Sequence, residues 1–151
     1  MTIQNNQEIA SNRRARFDYE ILETIEAGIV LQGTEVKSLR AGRVSMAESF
    51  AMIRNQEIYL LGLTIPQYEM GNRFNHEPDR DRKLLLHKRE ILRLQLKIKQ
   101  DGLALVPLKL YFKNRKVKVL LGLGKGKKLY DKRESKKDQD LAREIQQAKF
   151  G

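Results

Sequence analysis

Alternation is the feature that most restricts the folds open to this chain. In "KVKVLLGL" (116–123), Val117, Val119 and Leu121 hold one parity while Lys116 and Lys118 hold the other. Side chains of a strand point to opposite faces in turn, so this segment reads as an in/out strand with a cationic outer face. "DYEILETIEAGIVL" (18–31) repeats the pattern, with Tyr19, Ile21, Ile25, Ala27, Ile29 and Leu31 on one parity. Gly28 marks a candidate bulge, and Glu20 and Glu26 share the opposite parity unless that bulge intervenes. "SFAMIRNQEIYLLGLTI" (49–65) and "LALVPLKLYFKNRKVKVLLGL" (103–123) read as hairpins about Asn55-Gln56 and Asn114-Arg115. Neither tip offers the Asn-Gly of a tight type I′ turn, so longer or bulged turns are expected.

Two segments follow a helical spacing instead. "GTEVKSLRAG" (33–42) has Thr34 as its expected N-cap, Glu35 in the first turn, Gly42 as its stop, and Val36 and Leu39 facing inward. "HKREILRLQLKIKQDG" (87–102) sets Ile91, Leu94 and Ile98 on one face, with His87 opening it, although Gln95 to Lys99 also alternate as a strand would. "YEMGNRFNHEPDRDRK" (68–83) reads as a polar loop, with His76 among arginines. Hairpins with a few interspersed helices predict an α+β, mainly β fold, a small antiparallel barrel or sandwich. The expected organisation is a flexible polar N-terminus (1–11), one body (12–124) and a basic tail (125–151). The tail carries nine Lys or Arg and five Asp or Glu with few apolar residues, so it is expected to be disordered when free.

Thirty Lys and Arg against nineteen Asp and Glu give a net charge of +11, the balance of a chain that meets a polyanion. There is no Cys, so disulfides and thiolate metal sites are excluded. With only His76 and His87 to serve as imidazole ligands, no metal site is expected. The glycines of "GLGKGKK" fit neither a P-loop nor a dinucleotide fingerprint, and no nucleophile–base spacing is present, so neither catalysis nor a cofactor is expected. The N-terminus lacks a signal-peptide stretch, and no apolar run nears the roughly 18 residues of a membrane span, so a cytoplasmic protein is expected. Basic clusters "NRRAR", "DRDRK" with "HKRE", and "KGKKLYDKR" can release counterions from phosphates and offer stacking faces to unpaired bases. Composition does not choose RNA over DNA.

The segments "NRRARFDYEILETIEAGIVLQGTEVKSLRAGR", "GNRFNHEPDRDRKLLLHKREI", "LVPLKLYFKN" and "GLGKGKKLYDKRE", in that order from Asn12 to Glu134, resemble the SsrA-binding protein (small protein B) family of bacterial trans-translation. The resemblance implies an OB-like antiparallel β-barrel with flanking helices. It implies a non-enzymatic protein that binds the tRNA-like domain of transfer-messenger RNA and brings it to stalled 70S ribosomes. Elongation factor Tu with GTP and alanyl-tRNA synthetase would be indirect partners, through the RNA. By the same resemblance Asn12, Arg13, Arg16, Glu26, Lys83 and Leu85 would form the RNA-binding surface, although "LLL" by itself equally describes a core position for Leu85. The tail would enter the decoding centre beside the 16S rRNA and the empty messenger path. There Lys125, Lys127, Lys128, Lys132 and Arg133 would follow phosphates, Gly124 and Gly126 would permit close backbone approach, and Tyr130 would stack on a base. Asp131 would orient its neighbours. Leu141, Ile145 and Ala148 would form the stripe of a helix ordered on the ribosome. Departures from the family pattern are Arg115 after Asn114, where Gly is usual, and Phe150 as the only late aromatic.

A ribosomal protein with a basic extension is the rival among RNA binders, separated by whether one small stable RNA copurifies. An RNA-processing enzyme would turn over labelled RNA, and a membrane-surface protein would sediment with lipid.

Overall fold

A computed structural model of the chain describes residues 6–70 and 75–127. The expectations for Lys128, Tyr130, Asp131, Lys132, Arg133, Leu141, Ile145 and Ala148 lie outside the described residues. Within them the alternating segments become one antiparallel sheet. The elements are β1 (Asn6–Ser11), α1 (Ala15–Asp18), β2 (Tyr19–Ile29), α2 (Gly33–Arg40), β3 (Phe50–Arg54), β4 (Glu57–Leu61), β5 (Arg82–Leu85), α3 (Lys88–Asp101), β6 (Ala104–Lys113) and β7 (Lys116–Gly126). The strand order is β1-β6-β7-β2-β5-β4-β3. The sheet curls until β3 comes within 8 Å of β6, Cα to Cα, without a ladder closing the seam. This is an OB-like β-barrel with its last pairing left open and helices on its flanks. No helix among the described residues is long and apolar enough to cross a membrane.

Three strands, β1, β6 and β2, carry bulges, and these decide which face each side chain takes. The β2–β7 register slips by one residue between Ile21 and Glu23, not at Gly28 as the sequence implied. A slip of one residue reverses every side chain beyond it. Ile25, Ala27, Ile29 and Leu31 therefore belong to the main core, while Tyr19 and Ile21 pack on the opposite face with Ala15, Val106 and Leu108. β6 slips between Pro107 and Lys109, and β1 between Glu8 and Ala10.

The N-terminus is corrected as well. Residues 6–11, expected to be loose, form β1 against β6, with Ile9 and Ala10 packed on the core. Their polar neighbours concealed an edge strand whose ladder satisfies backbone groups of β6. At the other end β7 runs to Gly126, so Lys125 and Gly126 belong to the sheet and not to the tail.

Both hairpins are tighter than expected. Arg54 pairs with Glu57 and Lys113 with Lys116, leaving two-residue tips. Asn55 and Gln56 (φ 52° and 63°) and Asn114 and Arg115 (φ 51° and 71°) all lie in the left-handed region of a type I′ turn. Asn tolerates that region through local hydrogen bonding, and the twist of the paired strands selects the turn even where the second residue is not Gly.

The α3 helix forms as the 3.6 period requires, with His87 as N-cap in a capping box with Glu90, and Gly102 left-handed at its end. Ile91 and Leu94 are buried and Ile98 packs on the core, so Gln95–Lys99 is helical. In α2 the N-cap is Gln32, two residues before Thr34, in a capping box with Glu35. The Thr34 hydroxyl instead meets His76 Nδ1 at 2.8 Å. His76 is buried, and its Nε2 lies 2.7 Å from the Ile65 carbonyl, which can only accept. Nε2 therefore carries a proton, and in the neutral ring Nδ1 accepts from Thr34. His76 does lie in a loop, between β4 and β5, but it is buried and clamps that loop to the core.

The segment read as a polar loop (68–83) ends inside β5, whose pattern from Arg82 to Leu85 is buried, exposed, buried, exposed. Arg82 and Glu35 are both fully buried. Arg82 Nε donates to Glu35 Oε2 at 2.7 Å, Arg82 Nη1 to the Leu63 carbonyl at 2.6 Å, and Nη2 to the Pro78 carbonyl at 2.9 Å. Arg80 adds a second guanidinium to the same carboxylate. Buried charges persist only when paired and fully bonded, and this set ties α2 to β5.

Candidate nucleic-acid interface

The outer face of β2, β7 and β6 carries the functional candidates in two groups. At one end sits α1. Asn12 anchors it, donating from its backbone N–H to the Leu108 carbonyl at 2.8 Å and from Nδ2 to the Pro107 carbonyl at 3.1 Å. Arg13 and Arg16 are exposed beside it. Lys127 closes the group: its N–H donates to the Asp18 carbonyl at 3.0 Å and its Nζ to the Arg16 carbonyl at 3.2 Å. The basic N-terminal segment and the exit from β7 are thereby fixed side by side.

Gly122 and Gly124 make this end possible. A Cβ at Gly122 would lie 3.0 Å from Leu108 Cδ1 and 3.1 Å from Ile21 Cγ2. At Gly124 it would lie 3.1 Å from the Tyr19 Cβ and 3.2 Å from the Glu20 carbonyl oxygen. Gly124 is buried within the sheet, so the close approach it permits is to β2 and not to a ribosomal phosphate.

The second group lies further along the same face. At about 3.3 Å per residue, the seven steps from Tyr19 to Glu26 span about 23 Å. Glu26 accepts a hydrogen bond from the Tyr111 hydroxyl, and Lys113 Nζ stands 3.3 and 3.4 Å from its two oxygens. The Tyr111 bond holds the Glu26 carboxyl below its usual range, with the Lys113 and Lys118 charges adding to the effect against partial burial. Burial first, and Glu26 second, raise the Tyr111 hydroxyl, which stays a neutral donor. Gly28 pairs with Leu85 across β2–β5 and with Lys118 across β2–β7. Glu26, Gly28, Leu85, His87, Glu90 and Lys118 line one shallow depression of about 470 Å³.

Leu85 is 52 % exposed while its neighbour Leu84 is 1 % exposed. The core alternative for Leu85 is therefore wrong; Leu84 takes that place. Lys83, also exposed, pairs with Glu57 at 3.2 Å and faces Tyr59 across β4–β5. Arg54 stacks over the Tyr59 ring at 5.1 Å.

Of the candidates, Asn12, Arg13 and Arg16 thus group with Lys127, whereas Lys125, paired with Glu20 across β2–β7, takes the opposite face to Tyr19 and Ile21. Glu26 and Leu85 group with Tyr111, Lys113 and Lys118, and Lys83 adjoins them on β5. Tyr111 and Lys113 were missed in the sequence. The parity of Lys109, Tyr111 and Lys113 in "LKLYFK" was the available signal, since hairpin pairing puts Tyr111 opposite Lys118 and Lys113 opposite Lys116. Glu23, by contrast, faces the other way beyond the bulge and holds α3, with Arg93 Nη2 at 2.6 Å and Lys97 Nζ at 3.3 Å.

The chain matches the family model "SmpB protein" over residues 9–150. It belongs to the SmpB family. The family match takes in both groups on the outer face and everything from within β1 onward. Among relatives, the SsrA-binding protein of Carboxydothermus hydrogenoformans is 61% identical over 140 residues, covering 93% of this chain and 94% of the relative. That of Pelotomaculum thermopropionicum is 57% identical over 140 residues, covering 93% and 92%. A solved SmpB-family structure, described as "tmRNA-SmpB: a journey to the center of the bacterial ribosome", matches with TM-score 0.66 and 58% identity, covering 83% of this chain and 92% of that one.

Proposed function

We propose that this SmpB-family chain is a non-enzymatic cytoplasmic protein that binds the tRNA-like domain of transfer-messenger RNA and delivers it to stalled 70S ribosomes for trans-translation. The observation that carries the reading is the 58% identity over 83% of the chain to a structure described by tmRNA, SmpB and the ribosome together. The outer face supports it chemically. Arg13, Arg16, Lys118 and Lys83 supply cations for phosphates, Leu85 supplies an exposed apolar contact, and Glu26 accepts from a base amino group or a 2′-hydroxyl. Asn12 contributes by fixing the position of the arginines that follow it.

The segment from Lys125 to Arg133 contacts the decoding centre beside the 16S rRNA, in place of a codon–anticodon pair. Lys127, held on α1, aims that segment; Lys128, Lys132 and Arg133 pair phosphates, Tyr130 stacks and Asp131 orients its neighbours. Leu141, Ile145 and Ala148 form one face of a helix that lies in the empty messenger path. Elongation factor Tu with GTP and alanyl-tRNA synthetase act on the same RNA and meet this chain through it.

Truncation tests the division of labour. A chain ending after Lys127 keeps all of β7 and is expected to bind the isolated tRNA-like domain as the full chain does. It is expected to release no nonstop ribosomes in a purified translation system, and charge reversal at Lys132 and Arg133 should do the same. Loss of RNA binding with rescue intact would reverse the assignment. Affinity should fall with salt at a log–log slope of roughly −0.7 to −0.9 per neutralised phosphate.

A further inference from the structure

We propose that Tyr111 and Lys113 are positioning residues that fix the Glu26 carboxylate in one orientation, so that it accepts a hydrogen bond from an N–H or O–H of RNA seated against Leu85. The inference rests on the proposed binding of the tRNA-like domain and adds what makes one acidic group useful on a cationic face.

A flexible glutamate among cations would exchange between neighbouring ammonium groups and present its oxygens in no fixed direction. Here the side chain has fewer choices. Tyr111 is only 9 % exposed, its ring is fixed by packing, and its single hydroxyl proton is directed at Glu26 Oε2. Lys113 reaches both oxygens from the other strand end, at 3.3 and 3.4 Å. A carboxylate offers about four acceptor positions, and these two partners occupy three of them. Glu26 also lines the depression that holds Leu85 and Lys118. The acceptor capacity that remains is thus available beside an exposed apolar side chain, and the Lys113 and Lys118 charges offset the carboxylate's repulsion of the backbone. A donor group on a ribose or a base edge satisfies this geometry; a phosphate, which only accepts, does not.

The test is a double-mutant cycle with the full chain and the isolated tRNA-like domain. Tyr111→Phe keeps the ring and removes one uncharged hydroxyl. It is expected to weaken binding about tenfold, the order lost with a hydrogen bond to a charged group, without changing the salt slope. In a Glu26→Gln background the same change should cost less than twofold, because the hydroxyl no longer has a carboxylate to hold. Equal losses in both backgrounds, or none in either, overturn the inference, as does a changed salt slope. Lys113→Gln provides the second arm should Tyr111→Phe fail to fold, and it too should lose its effect when Glu26 is Gln. If the unmodified chain does not bind the tRNA-like domain at all, the functional reading fails first. That outcome is distinct from a chain that binds but shows no coupling.

Discussion

Arg82 donates to Glu35 at 2.7 Å although neither side chain has any exposure, and the pair joins β5 to α2. Removing one member leaves the other charge buried with fewer partners. Arg82→Met is expected to lower unfolding stability by about 3–5 kcal/mol, read as a drop in urea midpoint. Arg80→Met should cost less, because Arg80 is 25% exposed and water replaces it at the rim.

The same carboxylate predicts an acid limb. Burial alone would raise the Glu35 pKa, but the Arg80 hydrogen bond, the Gln32 amide and Arg82 outweigh it, and the net value lies below the ordinary 4.5. A carboxyl depressed in the folded state stabilises the fold above its unfolded pKa and loses that contribution as pH falls through the folded one. Glu23, lowered chiefly by Arg93, and Glu26, lowered chiefly by Tyr111, act with the same sign. Stability should therefore be level from pH 7 to about 5 and fall below about 4.5, with a shallower fall in Glu35→Gln. Denaturant midpoints across that range will check it.

Gly122→Ala should destabilise by about 1–3 kcal/mol, the range for overpacking, since its new methyl would press on Leu108 and Ile21. Gly33→Ala, with nothing within 4 Å, is the control and should be neutral or slightly stabilising. Thermal melts of the two variants will separate space from composition.

Leu84 and Leu85 are neighbours with opposite expected effects. Leu84→Ala should cost about 2–5 kcal/mol of stability as a cavity in the core. Leu85→Ala should change stability by no more than about 0.5 kcal/mol while weakening binding of the tRNA-like domain. Paired melts and binding titrations on both variants make the comparison.

Much of this arrangement was legible in the residues, and the failures share a cause. The positions of the two hairpins and the existence of α2 and α3 followed from period, whereas the α2 cap and the turn types did not. The inner face of β7 followed from alternation alone. A bulge, however, is a relation between two strands, and nothing local to "YEILETIEAG" says that the slip falls at Leu22 and not at Gly28. That single slip puts Ile21 and Ile25 on opposite faces. β1 was hidden because an edge strand needs few apolar residues when its partner supplies the ladder. β5 was hidden because Arg82, the most polar residue of a short strand, is one of the most buried residues in the fold. Leu85 could be located on the surface only after β5 was paired with β2, since three leucines in a row carry no parity.

The hairpin tips have a further consequence. Gln56 and Arg115 hold a backbone twist that glycine adopts freely, so each tip carries conformational tension that one codon change could remove. Arg115 and Arg40 both line a cleft of about 560 Å³ between α2, β1 and the hairpin. Relaxing that tip would also delete a cation, whereas the Asn55-Gln56 tip, which lines a smaller cleft of about 300 Å³ with Lys83 and Leu85, holds an uncharged Gln56. The two turns thus offer unequal routes to a hardier molecule, and the Gln56 tip is the one where heat tolerance can be gained without redrawing the charge map.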